Sequence, residues 1–376
     1  MKKSLLALLT ALSLGAQAAT LPTPPAPELS ARAYLLMDVY SGKVLATKDA
    51  DNRIEPASLT KLMTAYLTFK ALQEGRIKPS QQLTVSQKGW KTEGSRMFLD
   101  PKKPASVDEL IRGMIVQSGN DACVTLAEAI AGSEETFAGM MNQQAAKLGM
   151  KNTHFMNSTG LPDPQHYTTA RDLSLLAAAI IRDYPQYYPI YSMKEYRYNN
   201  ITQPNRNQLL YRDPGVDGMK TGHTDSAGYC LIASKHEDQR RVLSVVLGTD
   251  SDNTRANESA RLLGYGLQFF DTPKLYTARQ VVSQAKVFKG EAGSVAVGFD
   301  RDQYLTLAKG AAGRVQSQIV LQPKLIAPIQ AGQVVGSVKL SLDGQPLAEL
   351  PLKSLAAVPE AGFFGRMTDS VKLWFN

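Results

Sequence analysis

Ser58 and Lys61, three residues apart in "EPASLTKLMTAYLTF" (55–69), form a pair whose chemistry can go beyond packing. Leu59, Leu62, Met63, Tyr66 and Leu67 give the segment a helical apolar stripe, which sets both polar residues at the start of a helix about to bury itself. A serine hydroxyl is a poor nucleophile near neutrality and needs a base within reach. A lysine three residues further on lies over the same helical face. To accept the proton, its ammonium must first lose one, so a pKa of about 10.4 has to fall by roughly three units, worth ~4 kcal/mol. Burial together with a second positive charge produces shifts of that size. Taken alone, the pair has a plainer reading, with Ser58 as a helix N-cap and Lys61 as a solvated cation.

Two further triplets bear on that choice. Ser118-Gly119-Asn120 joins two expected helices, so its side chains can project into a cleft; by itself it is only a loop. Lys220-Thr221-Gly222 follows the turn "VDGM" and opens a strand. By itself it is a sheet-edge lysine, but such an edge would let an extended substrate pair with the strand. Lys220 would also be the second cation that Lys61 requires.

The elements that must position these residues read as α+β. "AYLLMDVYSGKVLATKDAD" is a hairpin turning at Ser41-Gly42, and the Ser58 helix follows it. Ser106-x-x-Glu109 is a capping box opening "VDELIRGMIV". Further helices run through Ile130, through Leu148, and along "YTTARDLSLLAAAIIRDYP" to a stop at Pro185. "AGYCLIASKHEDQRRVLSVVLGT" reads as strand, turn and strand, and a last helix lies near "ANESARLLGYGLQFF". Strands at both ends of a helical middle predict an antiparallel sheet flanked by helices over residues 31–275. From 276 to 358 short strands such as "SVAVGF", "SQIVLQ" and "VVGSVKLSLDGQPL" replace the helical period and predict a small all-β domain.

The two ends differ from the body. Lys2 and Lys3, the apolar run "SLLALLTALSLG" and Ala16-Gln17-Ala18 form a signal peptide over residues 1–18, which implies export. Residues 19–30 are Pro-rich and predict a linker. In the tail, residues 359–376, Phe364, Met367, Val371, Trp374 and Phe375 recur on one helical face. That helix is too short to span a bilayer but suits lying in its interface; the alternative is a terminal helix docked on the β domain.

The formal net charge is +8, and loss of the signal peptide removes two lysines and no acid, leaving +6. A modest basic excess suits an anionic wall polymer or membrane surface, while the scatter of Lys and Arg gives no nucleic-acid module. Four scattered histidines give no metal site, and nothing calls for a cofactor. The only cysteines, Cys123 and Cys230, read as two small buried residues that could also pair after export.

S-x-x-K, S-G-N and K-T-G stand in that order, roughly 60 and 100 residues apart. In this the chain resembles the low-molecular-mass penicillin-binding proteins, the serine-type D-alanyl-D-alanine carboxypeptidases of peptidase family S11. "PASLTKLMT", "QSGNDAC", "GMKTGHTDSAGY", "VGFDRDQYLTL" and the tail "GFFGRMTDSVKLWF" carry the likeness over nearly the whole chain. The resemblance implies a penicillin-binding/β-lactamase-like transpeptidase fold. It also implies that Ser58 attacks the D-Ala-D-Ala carbonyl of peptidoglycan pentapeptide stems, with Lys61 as base and Ser118 passing a proton to the leaving amine. Asn120 would hold Lys61 and the substrate amide. The N–H groups of Ser58 and His223 would form an oxyanion hole, and Thr221 with Arg206 or, less closely matched, Arg255 would hold the terminal carboxylate. β-Lactam antibiotics would acylate Ser58, and the tail would anchor the protein on the periplasmic face of the cytoplasmic membrane. "STGLPDP" (158–164) matches the family's loop beside the cleft, but no glutamate lies between His154 and Arg171. Two competitors are a β-lactamase of the same fold and an inactive wall-binding protein. The first is disfavoured by S-G-N in place of S-D-N and by the absent loop glutamate. The second is disfavoured by the complete set of hydroxyls and lysines.

Overall fold

In the computed structural model, which describes residues 23–374, the strand signals become a five-stranded antiparallel sheet with helices on both faces. The elements are β1 (Ala33–Asp38), β2 (Val44–Lys48), α1 (Lys61–Gln73), α2 (Val107–Val116), α3 (Asn120–Ala131), α4 (Glu134–Leu148) and α5 (Ala170–Asp183). They continue with β3 (Val216–Thr224), β4 (Gly228–Glu237), β5 (Arg240–Thr249) and α6 (Asp252–Phe269). The sheet order is β2-β1-β5-β4-β3, so the first hairpin and the late strands meet where β1 pairs with β5, Leu35 opposite Val245. β1, β4 and β5 are covered on both faces, which is why they read as unbroken apolar runs rather than alternation.

Leu35, Ile232 and Val245 face the larger core, shared with α1 to α5; Leu36, Ala233 and Val246 face a smaller one under Leu262 and Leu263 of α6. The expected apolar stripe of α1 is in fact burial all round, from Lys61 through Phe69, because α1 is the central helix of the larger core. The Ser106 capping box forms, with Ser106 Oγ accepting from Glu109 N at 3.3 Å and Ser106 N donating to Glu109 Oε2 at 2.8 Å.

The C-terminal region is a six-stranded sheet of β6 (Ser283–Phe288), β7 (Ser294–Gly298), β8 (Val315–Leu321), β9 (Leu325–Ile326), β10 (Val334–Leu342) and β11 (Gln345–Ser354), ordered β8-β10-β11-β7-β6-β9. It encloses its own core, including Val297, Val338 and Leu352. The two parts are joined through buried Asp38, which accepts from Ser41 N at 3.0 Å and from Thr272 Oγ1 at 2.7 Å, while Ser41 Oγ lies 2.6 Å from Thr306 Oγ1.

The described part of the Pro-rich segment, from residue 23 to 30, is tied to the body rather than a free linker: Tyr265 OH donates to Pro24 O at 2.9 Å, and Glu258 accepts from Ser30 N at 2.6 Å and from Ala31 N, just beyond it, at 3.1 Å. A buried carboxylate on α6 thus gathers the segment's N–H groups. The expected signal peptide lies outside the described residues, as do the side chains of Val371, Trp374 and Phe375. The last helix, α7 (Phe363–Trp374), touches the β region where Lys289 N donates to Asp369 Oδ2 at 2.7 Å, yet Phe363, Phe364 and Met367 are 68%, 79% and 55% exposed. No helix among the described residues is long and apolar enough to cross a membrane.

Candidate active site

Ser58 lies in a 3-10 turn, Ala57–Thr60, that runs directly into α1. Neither segment has a side-chain cap, so the N-cap reading of Ser58 falls away. Ala57, at φ +47°, and Ser118, at φ +60°, both occupy the left-handed region. For residues with a Cβ that conformation costs on the order of 1–3 kcal/mol and persists only where the surroundings impose it. Here it turns the hydroxyls of Ser58 and Ser118 into one cleft.

Lys61 is 1% exposed, and its Nζ donates to Ser58 Oγ at 2.7 Å and to the Thr159 carbonyl at 2.7 Å. Burial pushes its ammonium down to about 8, the charge of Arg206 assists, and Cys123 and Asp121 oppose. Arg206 is thus one cation acting on Lys61. Lys220, also buried, is held well below the usual lysine range by desolvation first and by the charge of Lys61 second; that repulsion is mutual, so Lys220 is a second cation for Lys61, as the sequence suggests. Lys220 Nζ donates to Ser118 Oγ at 3.0 Å and to the Thr221 carbonyl at 2.8 Å.

The segment "VDGM" is part of β3 rather than a turn before it, so Lys220, Thr221 and Gly222 lie mid-strand, on the sheet's edge. Arg241 reaches Asp217 with two parallel bonds, both 2.7 Å, which holds this Asp-Gly sequence extended. Ser58, Ser118, Arg206, Thr221, Gly222, His223 and Arg255 line one cavity of about 520 Å³.

The two arginines divide. Arg206 is exposed and its Nη1 donates to Ser95 Oγ at 2.8 Å, leaving donors for a ligand. Arg255, 5% exposed, is engaged by Asp252 and by the carbonyls of Gly222, at 3.1 Å, and Cys230, at 3.4 Å, so it braces the β3–β4 edge. His223 is exposed and packs on Tyr229, ring centroids 4.0 Å apart. Asn120 does not make the expected bond to Lys61. Its Nδ2 donates to Glu93 O at 2.6 Å, and its buried Oδ1 has no protein partner, leaving an acceptor for a ligand amide.

Sequence reasoning missed the loop 93–99, which forms a wall of the cleft. Asp121 accepts from Met97 N at 3.0 Å and Leu99 N at 3.0 Å, and Ser95 O accepts from Asn120 N at 2.7 Å. It also missed the Thr159 carbonyl, which carries no signature in its residue type. His166, which burial pushes down to about 4, stands 2.9 Å from Thr60 Oγ1 and ties the Ser58 turn to the loop beside it. Cys123 and Cys230 are both buried and unpaired, their thiols pushed up by burial to about 12 and about 11.

Taken together, a hydroxyl bonded to a depressed lysine, a second hydroxyl on a second lysine, and an arginine at the mouth suit acyl transfer from a substrate bearing a carboxylate.

Residues 19–251 match the family model described as D-alanyl-D-alanine carboxypeptidase, and residues 270–360 match that of the penicillin-binding protein 5 C-terminal domain. The chain is 42% identical to D-alanyl-D-alanine carboxypeptidase DacA of Escherichia coli K12 and 43% identical to DacC of the same strain, each over 94% of this chain and 90% of the relative. Among solved structures, penicillin-binding protein 5 of Haemophilus influenzae superposes with a TM-score of 0.85 at 41% identity, covering 90% of this chain and 100% of that one. Penicillin-binding protein D2 of Listeria monocytogenes in its ampicillin-bound form gives a TM-score of 0.60 at 31% identity, over 65% of this chain and 100% of that one.

Proposed function

The chain belongs to the serine D-alanyl-D-alanine carboxypeptidase family, peptidase S11, and from that premise we propose that it removes the terminal D-alanine from peptidoglycan pentapeptide stems through an acyl-enzyme on Ser58. The observation that carries this reading is the buried Lys61 Nζ, 2.7 Å from Ser58 Oγ.

An extended stem lies along the β3 edge, its terminal carboxylate held by Arg206 and Thr221. That carboxylate favours the proton on Lys220, so of two cations sharing one buried cleft Lys61 is the one left neutral. Lys61 takes the Ser58 proton as Oγ attacks the D-Ala-D-Ala carbonyl. The N–H groups of Ser58 and His223 receive the oxyanion. The proton reaches the departing D-alanine amine through Ser118 and Lys220, and water then frees the shortened stem. Asn120 Oδ1 accepts from the stem's amide. Penicillins enter the same path because their strained amide mimics the D-Ala-D-Ala bond; the ampicillin-bound structural neighbour supports this. Purified protein is expected to release D-alanine from a pentapeptide and to carry a labelled penicillin on the peptide containing Ser58. A label elsewhere sinks the assignment, and rapid penicillin turnover without peptide cleavage returns the β-lactamase reading.

The protein acts outside the cytoplasm, at the periplasmic face of the inner membrane, after removal of residues 1–18. The apolar side chains that α7 leaves in solvent support its role as the anchor. Deletion of residues 363–376 is expected to move the protein from the membrane fraction to the soluble one with activity retained. Full-length protein that is already soluble would favour a docked helix instead.

A further inference from the structure

Glu134 is a buried carboxylate that the reaction above leaves unused. It sits in the first turn of α4, behind the cap Ser133, and reaches across to the loop that resembles the family's cleft-side loop. Its Oε1 accepts from Ser158 N at 3.0 Å and from Ser158 Oγ at 2.6 Å, while Lys88 Nζ lies 3.0 Å from its Oε2. Ser158 is fully buried, and its carbonyl accepts from Thr64 Oγ1 of α1 at 2.6 Å. The next carbonyl along the chain, that of Thr159, is the one that receives Lys61 Nζ. Within the turn, Asn157 Oδ1 binds Thr159 N at 3.2 Å and Gly160 N at 2.7 Å, so residues 157–160 move as a unit. The chain just before that unit is also tied to α4, since Asn142 exchanges bonds of 2.7 Å and 2.8 Å with the backbone of Phe155.

We propose that Glu134 is a positioning residue for acylation: by fixing Ser158 it keeps the Thr159 carbonyl on Lys61 Nζ and so keeps Nζ directed at Ser58 Oγ. The loop has no glutamate of its own between His154 and Arg171, and Glu134 supplies a carboxylate to it from a neighbouring helix. The contact is charge-assisted on both Ser158 donors, which makes it stronger than a neutral pair. Without it the Ser158 N–H and O–H are buried and unmet, and the turn must open to water to satisfy them. Opening also hydrates Lys61, whose lowered proton affinity comes first from burial.

The inference rests on the reading of Lys61 as base, and the experiment separates the two. Penicillin acylation rates are measured against pH for wild type, Glu134→Ala and Glu134→Gln, each normalised to the fraction of protein that finally labels. Glu134→Ala is expected to acylate about 10- to 50-fold more slowly at pH 7, with its pH midpoint moved upward by about one unit. Glu134→Gln keeps an oxygen for Ser158 and is expected to stay within about threefold of wild type, at the wild-type midpoint. If Glu134→Ala does not fold, Ser158→Ala, which removes only the hydroxyl, should move the midpoint the same way. Wild-type protein that never labels sinks the Lys61 reading. Labelling wild type alongside a Glu134→Ala of unchanged rate and midpoint, or a Glu134→Gln as slow as Glu134→Ala, overturns the positioning role alone.

Discussion

Lys61→Met is expected to slow acylation of Ser58 by labelled penicillin about 10³-fold, and to raise rather than lower the melting temperature at pH 7. General-base assistance contributes roughly 10²–10⁴-fold, and methionine has no proton acceptor to replace a nitrogen 2.7 Å from Ser58 Oγ. The stability half of the prediction follows from linkage. Lys61 binds its proton with a pKa of about 8 in the folded protein, against about 10.4 when unfolded. Between those values the unfolded chain holds more protons, so stability climbs with pH across that window. Below about 8 both states are protonated, and the folded protein bears the full cost of a buried ammonium, on the order of 3 kcal/mol. An apolar side chain of similar length in the same site removes that cost, as replacement of a buried charge often does. The catalytic sign is that of any general base: wild-type acylation rises through a midpoint near pH 8 as Lys61 becomes neutral, and the variant should lose that inflection. Stopped-flow labelling and thermal melts on the same samples check both halves. A variant that acylates within tenfold of wild type removes Lys61 from the base role.

The proposal that Lys61 is the base was open to reading because S-x-x-K, S-G-N and K-T-G are side-chain signatures, and each needs its residue types at its spacing. What surrounds it was not. The Thr159 carbonyl could belong to any residue, and Glu134 reaches Ser158 across 24 positions of chain, a contact only the tertiary fold creates. "VDGM" reads as a turn because Asp-Gly is a strong local turn signal; the bidentate pair between Arg241 and Asp217 overrides it, and that partner is also remote in sequence. The stripe of α1 understated its burial because a period-based reading cannot tell a helix covered on one side from one covered on all sides when the polar positions of its buried stretch, 61–69, are chiefly threonines and one lysine. β6 carries the alternation Ala285, Val287 against Gln284, Lys286, but alanine is a weak strand former and the run is short, so it passed unread. The long, fully apolar strands and the capped helices were the legible part, since their signals are local and agree with the fold that encloses them.

Gly160→Ala is expected to reduce acylation by about 10²-fold or more while the protein still folds. Gly160 sits at φ +88°, and a Cβ built on it would lie 1.8 Å from the Ala57 carbonyl oxygen and 3.0 Å from Ser58 N. No flexible side chain is there to yield. Either the 157–160 turn must back away, taking the Thr159 carbonyl off Lys61, or the Ala57 peptide must move, taking Ser58 with it. A displacement near 1 Å in a reacting constellation costs roughly 10² in rate. The left-handed backbone adds its own strain of about 1–2 kcal/mol for any residue with a Cβ, so the two contributions must be separated. Gly132→Ala does so. Gly132 has φ +81° at the end of α3 but nothing within 4 Å of the built Cβ. It should melt a few degrees lower, as about 1 kcal/mol implies, and acylate at the wild-type rate. Loss of acylation in Gly160→Ala with normal acylation in Gly132→Ala assigns the effect to the contact between the loop and the Ser58 turn. Equal acylation by Gly160→Ala and wild type would mean that the turn carrying Ser58 can shift without consequence, and that its fixed approach to the loop is not what holds nucleophile and base together.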